Sequence, residues 1–293
     1  MGKERLKRYR PPWQRALIII LSILFALVFI LSFFLIADAF AHSHARVVPD
    51  YAMDEDGLIA VLEKPKDCWT DEDYAFVYRQ TGLTKVYFDG SDAVNRTFVL
   101  NCQRDLFYDE DISHESPVIG ASHDCFDDKY MTMVPLERGD VVLSSSVHTL
   151  GWSNGHASIV VRGGSAAAAS TVQAITVGTV SERQGTAWFR RSSNFMVLRP
   201  KISREQAEDI AGWAQQNLIG VPYSLFTGIF NAKDQTADVQ TTQCAHLVWL
   251  AYKAFGYDID STGGPVVTPK NIANCDLFEV VQVNGFDLEK LWS

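Results

Sequence analysis

The stretch ALIIILSILFALVFILSFFLIA, residues 16–37, carries no charge and no proline, and it limits what the chain can become. A helix needs ~20 apolar residues to cross the hydrocarbon core of a bilayer. A core helix of a soluble domain keeps a polar stripe, which this run lacks. Ahead of it crowd Lys3, Arg5, Lys7, Arg8, Arg10 and Arg15. Basic flanks stay in the cytoplasm, so residues 1–15 are expected to be a cytoplasmic tail and 16–38 a single transmembrane anchor. Everything beyond is expected outside the cytoplasm, held at the cell membrane. A cleaved signal peptide competes, because Ala39-Phe40-Ala41 has the small-x-small pattern. Its apolar region, however, usually runs only ~7–15 residues, which favours an uncleaved anchor. No cysteine closes the run, so lipoprotein processing has no acceptor.

The 293 residues carry a formal charge of −9, and setting the basic tail apart leaves the remainder more acidic still. Such a surface repels phosphate backbones, and no basic stripe with interleaved aromatics is present, so nucleic acid is not an expected partner. The cysteines are Cys68, Cys102, Cys125, Cys244 and Cys275. Outside the cytoplasm an odd count leaves at least one thiol free. If that one is Cys244, the others pair in any of three ways or all stay reduced.

Residues 42–135 read as an acidic, aromatic-rich extension or cap. Within it DEDYAFVYRQTG predicts a short helix, with Tyr74, Val77 and Tyr78 on one side and Gly82 closing it. His114, His123, Cys125 and Asp127 match no common zinc spacing and are expected in a solvated acidic loop. Neither a metal nor a cofactor is expected. Asn95-Arg96-Thr97 fits a glycosylation sequon, a triplet that chance often supplies. From Leu136 to Ser293 the pattern becomes short strands with turns: ERGDVVLSSS, GHASIVVRGG, STVQAITVGTV and FMVLRP, with LFEVVQV as the last. SREQAEDIAGWAQQNL predicts an amphipathic helix opened by a Ser203–Gln206 capping box. The fold class is α+β, a small antiparallel sheet packed with helices.

TTQCAHLVWLAYK, residues 241–253, holds the candidate chemistry. Cys244, Leu247, Val248 and Ala251 share one helical face, which suits a buried cysteine as well as a reactive one. A capping Thr241 or Thr242 would put Cys244 in the first turn, where unpaired N–H groups lower a thiol pKa below its free value of ~8.5. A nucleophile needs a base and something to orient it. His156 opens a strand behind Gly155 and shares a face with Ser158 and Val160; His148 is the alternative base, and His246 points to another side of the helix. Gln173 is polar in an otherwise apolar strand. On residue pattern alone His156 is equally an ordinary edge histidine, and Gln173 equally a side chain facing water.

The ordered set Gly139-Asp140, Gly155-His156-Ala157, Val172-Gln173-Ala174, Gly220-Val221-Pro222-Tyr223 and Gln243-Cys244-Ala245-His246-Leu247-Val248 resembles the permuted papain-like enzymes of the YaeF/YiiX group. These are circular permutants of NlpC-type cell-wall peptidases, and lecithin:retinol acyltransferase-like proteins share their histidine-first order. The resemblance covers about half the chain, from Leu136 to Val283. It implies a circularly permuted papain-like, NlpC-like fold with Cys244 as nucleophile, His156 as base and Gln173 as orienter. It also implies a pocket beside Tyr223, to which Trp152 and Gln243 are added, and an oxyanion hole using the Cys244 N–H. Relatives often have an acid where Gln173 stands and small residues where Ala245 and His246 follow the cysteine. The implied activity is a membrane-anchored thiol hydrolase cleaving amides of peptidoglycan peptides. A lipid-directed acyltransferase or esterase, and a non-catalytic cell-wall binding module, are the alternatives.

Overall fold

The computed structural model describes residues 11–90, 94–115, 121–149 and 152–292; Lys3, Arg5, Lys7, Arg8 and Arg10 of the basic tail lie outside them. Helix α1 (Pro12–Ser43) is apolar all round and buries none of its residues, so it is long and apolar enough to span a membrane. Among the described residues the last turns of α1 meet the rest of the chain through Asp38 and His42, and just beyond the helix Ala45 is buried, its carbonyl accepting from Asn194 and Ser193.

The acidic segment folds into helices because its acids cap and flank them. They are α2 (Glu55–Leu62), α3 (Asp71–Thr81), α4 (Lys85–Asp89) and α5 (Arg96–Leu106). Asp54 caps α2, Thr70 and Asp73 form a reciprocal box on α3, and the sequon residue Asn95 caps α5. Acids in the first turns also favour the positive end of the helix dipole. Gly82 closes α3 at φ +70°, where a Cβ would lie 1.9 Å from the Val283 carbonyl oxygen.

The strands follow: β1 (Ser113–Glu115), β2 (Ser122–Cys125), β3 (Val141–Ser144), β4 (Val147–His148), β5 (His156–Arg162), β6 (Ser170–Gln173) and β7 (Glu182–Gly185). After α6 (Ala187–Arg191) come β8 (Phe195–Pro200), α7 (Arg204–Asn217), α8 (Cys244–Lys253), α9 (Pro269–Ala273) and β9 (Phe278–Asn284). A six-stranded antiparallel sheet runs β7-β6-β5-β3-β8-β9, and β1-β2-β4 form a smaller one. STVQAITVGTV makes a shorter strand than its alternation predicts, ending at Gln173 before a turn. The capping box at Ser203 and Gln206 is present.

Alternation along the central strands feeds two cores. Leu143, Ala157, Ile159, Val172 and Met196 face α7 and α8 through Ile210, Ala214, Leu247 and Val248. Val142, Val160, Val197 and Val281 face the N-terminal helices through Leu58, Val77, Phe88 and Val99. The sheet is therefore buried on both sides, and β5 is buried from His156 to Val161. All five cysteines are free thiols, Cys102 and Cys125 inside the protein and Cys68 exposed.

Gly139-Asp140 has a structural task. Asp140 is buried and takes two hydrogen bonds from Arg199, Nε at 3.0 Å and Nη2 at 2.9 Å, while the Glu137 N–H reaches it at 2.8 Å. Removing one partner of a buried pair strands the other charge. Arg199→Met is expected to cost about 3–5 kcal/mol, read as a fall in the urea midpoint. An unchanged midpoint would show that the Asp140 carboxylate is satisfied without Arg199.

Candidate active site

Cys244 is the first residue of α8, but neither Thr241 nor Thr242 caps the helix. Gln243 does: its Oε1 accepts from the Ala245 N–H at 2.9 Å while its Nε2 donates to the Val267 carbonyl at 2.6 Å. The longer side chain folds back over the first turn and ties it to the loop before α9. Thr242 is occupied with His246 Nδ1, and Thr241 with Thr227 and Asn231.

The Cys244 sulfur lies among the backbone N–H groups of Ala157, Ala245 and Cys244 itself, which favour a thiolate. Burial nevertheless dominates and pushes the thiol up to about 11. This corrects the expectation of a lowered value: the helix start supplies its N–H groups, but the thiol is only 6 % exposed, and loss of water outweighs them. The S–H is directed at Gln243 Oε1, 3.4 Å away.

His156 is held by a chain of side chains on β6 and β7. Gln173 Nε2 donates to Gln184 Oε1 at 2.7 Å, and Gln184 Nε2 donates in turn to the Glu182 carboxylate. That fixes the Gln173 amide with Oε1 toward the imidazole, 2.7 Å from His156 Nε2. Nε2 must then carry the proton, leaving the Nδ1 lone pair as the basic site. Gln173 is buried rather than facing water, and His156 sits on an inner strand rather than an edge. Gly155 makes this entry, with φ +66° and a Cβ position 2.8 Å from the Ser144 carbonyl oxygen. The imidazole stacks on Phe189 and meets Trp188 edge-on at 4.7 Å. Burial pushes it down to about 4, so it is neutral at rest.

Thiol and imidazole thus converge on the start of β5 from its two faces. Cys244 comes from the α7–α8 core to the Ala157 N–H, and His156 turns toward Phe189 in the other core. Beside the imidazole opens a cavity of about 290 Å³, lined by His156, His123, Val147, Trp188, Ile175 and Val177 among others. Tyr223 is partly buried close to Cys244, and burial followed by the sulfur's charge pushes its phenol up. Trp152 is 66 % exposed and does not line this cavity. His148 is engaged elsewhere, by Asp38 and Asp124. His246 bonds Thr242 and the Lys233 carbonyl.

Sequence reasoning missed three residues here. Gln184 and Glu182 extend the His156–Gln173 pair, and their alternate spacing on one strand was the available signal. His123 was assigned to a solvated loop, but Ser122–Cys125 is a buried strand. His123 stacks on Trp188 at 4.0 Å and bonds Ser192 Oγ at 2.9 Å. The run SHDC was too short to reveal its burial by periodicity.

No family model and no curated protein matches the sequence. Among solved structures it is similar to metalloprotein yiiX from Escherichia coli O157:H7 (DUF1105), at 14 % identity and a TM-score of 0.37. The similarity covers 50 % of this chain and 96 % of that one. It is a distant, YiiX-like likeness.

Burial depresses His123, His156 and His246 to about 4, whereas an unfolded imidazole takes its proton near 6.5. The unfolded chain binds more protons between those values, so stability is full above pH 6.5 and is lost as pH falls toward 4. Each histidine contributes up to ~1.4 kcal/mol per pH unit. Urea unfolding against pH is expected to show this slope, and His246→Gln to make it shallower. An equal slope in the variant would refute the assignment for His246.

Proposed function

We propose that residues 136–293 form a circularly permuted papain-like, NlpC-like domain acting as a thiol hydrolase outside the cytoplasm, held at the membrane by α1. The observation that carries this reading is the His156–Gln173–Gln184–Glu182 chain, which runs from a buried imidazole to an exposed carboxylate, at the same end of β5 where Cys244 receives the Ala157 N–H. A buried imidazole with one nitrogen held and the other bare is what a general base requires.

In this mechanism the Cys244 S–H leaves Gln243 Oε1 and its side chain rotates around the start of β5, so that the thiol and His156 Nδ1, which rest on opposite faces of the strand, meet once substrate is bound. As sulfur bonds to the substrate carbonyl carbon, its proton passes to Nδ1, and Gln173 takes the Nε2–H of the imidazolium. The charge stays on the imidazolium, and the two amides align their dipoles between it and the Glu182 carboxylate. The Cys244 N–H faces the developing oxyanion. As the C–N bond breaks, His156 returns the proton to the leaving amine, and the acyl group remains on Cys244 as a thioester. Water, deprotonated by His156, hydrolyses that intermediate and restores the thiol. The reading favours amides of peptidoglycan peptides, since an anchored domain outside the cytoplasm faces the wall.

A second reading, a lipid acyl substrate, is favoured by one feature. Val177 lines the His156 cavity and is itself exposed, as are Val180, Phe226 and Phe230 on the neighbouring loops. A non-catalytic wall-binding module remains the third.

Purified full-length protein incubated with muropeptides and, separately, with phospholipid vesicles, then analysed by mass spectrometry, distinguishes these readings. Cys244→Ala is expected to abolish turnover and thiol-probe labelling, and His156→Ala to lower kcat by about 10²–10⁴-fold. Turnover persisting in Cys244→Ala would overturn the thiol mechanism. Gln173→Glu places a carboxylate against Nε2–H and is expected to raise the acid limb of the pH–rate profile. An unmoved limb would mean that Gln173 does not hold the base.

A further inference from the structure

A second cluster, distinct from the thiol site, joins the end of α1 to the small sheet. It contains Asp38 and His42 from the anchor helix, His114 from β1, Asp124 from β2 and His148 from β4. His114 presents Nε2 to Asp38 at 3.2 Å and Nδ1 to Asp124 at 2.9 Å. His148 presents Nδ1 to Asp38 at 2.8 Å and Nε2 to Asp124 at 2.9 Å. Four ring nitrogens therefore face four carboxylate contacts. Two neutral imidazoles supply only two N–H donors, so two positive hydrogens are missing. Two further protons, one on each ring, or a single divalent cation make up that deficit.

We propose that Asp38, His114 and His148 bind one divalent transition-metal ion, with Asp124 orienting both imidazoles from behind. Asp38 Oδ, His114 Nε2 and His148 Nδ1 lie within 4.8 Å of one another. Ligands about 2.0–2.2 Å from zinc at tetrahedral angles stand roughly 3.3 Å apart, which small side-chain shifts provide. The opposite nitrogens, His114 Nδ1 and His148 Nε2, then both donate to Asp124, the carboxylate–histidine–metal arrangement that fixes ring and tautomer. Two carboxylates and one divalent ion leave the cluster neutral, which suits Asp124 at full burial and His148 at 1 % exposure. Imidazole with carboxylate is a donor set for zinc or a neighbouring first-row metal, with water in the fourth position. The nearby group Glu115, His123 and Cys125 is less suited, because the Arg191 guanidinium already bonds both Glu115 and Cys125.

The ion would couple the anchor to the cavity wall. Strand β2 pairs Ser122 with His148 and His123 with Val147, and His123 and Val147 line the cavity beside His156. Three ligands from a helix and two strands thus fasten the membrane end of α1 to the strands that shape that wall.

The test uses untagged full-length protein in detergent, stripped with a chelator and titrated with zinc chloride against a chromophoric competitor. One equivalent is expected to bind and to raise the melting temperature. Asp38→Asn and His148→Gln are expected to weaken binding at least about tenfold, whereas Cys244→Ser keeps it. Asp38→Asn, at a partly exposed position, is expected to melt with the stripped wild-type protein and to gain nothing from zinc. Substoichiometric binding, equal affinity in Asp38→Asn, or loss in Cys244→Ser would each overturn the proposal.

Discussion

The burial of β5 on both faces is the constraint from which the site follows. A strand covered on one side by α7 and α8 and on the other by the N-terminal helices has no water to offer a polar side chain. His156, at its first position, therefore depends on a protein partner, and an unpartnered buried polar group costs about 1–3 kcal/mol. Gln173 fills that need from β6, and its own amide is satisfied by Gln184 from β7. The orientation of the imidazole is thus determined by the width of the sheet on that side. The acidic N-terminal segment enters the same argument, since its helices supply the second core that closes over the strand.

That closure also sets the proton state. Thiol and imidazole are both held neutral, the first pushed up to about 11 and the second down to about 4 by loss of water. A preformed thiolate–imidazolium pair is accordingly not the resting state. In the proposed thiol mechanism Cys244 and His156 would exchange the proton as the new bond forms, and a neutral glutamine suits an imidazole that is charged only transiently. A carboxylate in its place would favour the charged form permanently. The carboxylate instead stands two amides away, at the exposed Glu182, where water already solvates it.

Much of this was legible in the sequence, and the failures share a cause. The apolar run, the α7 capping box and strands β3, β5, β6, β8 and β9 each announce themselves by composition or period, whereas β4 and β7 do not. His156 and Gln173, open on residue pattern alone, were singled out by the resemblance, and the fold brings the two together at 2.7 Å. What was not legible depends on neighbours remote in sequence. Gln243 caps α8 because Val267 is within reach of its amide, and no local pattern distinguishes it from Thr242. The cluster around Asp124 escaped because its histidine partners come from residues 42, 114 and 148, which no local pattern brings together.

Strand β2 connects these two parts of the molecule. Adjacent residues of a strand point to opposite faces, so His123 and Asp124 are bound to diverge. His123 lines the cavity beside His156, while Asp124 turns toward the histidines at the end of the anchor. A one-residue slip of β2 against β4 would exchange the two, placing a carboxylate in the cavity and an imidazole among imidazoles. The register Ser122–His148, His123–Val147 is therefore set by both environments together. The placing of the α1 end and the shape of the cavity therefore both depend on one short strand pairing.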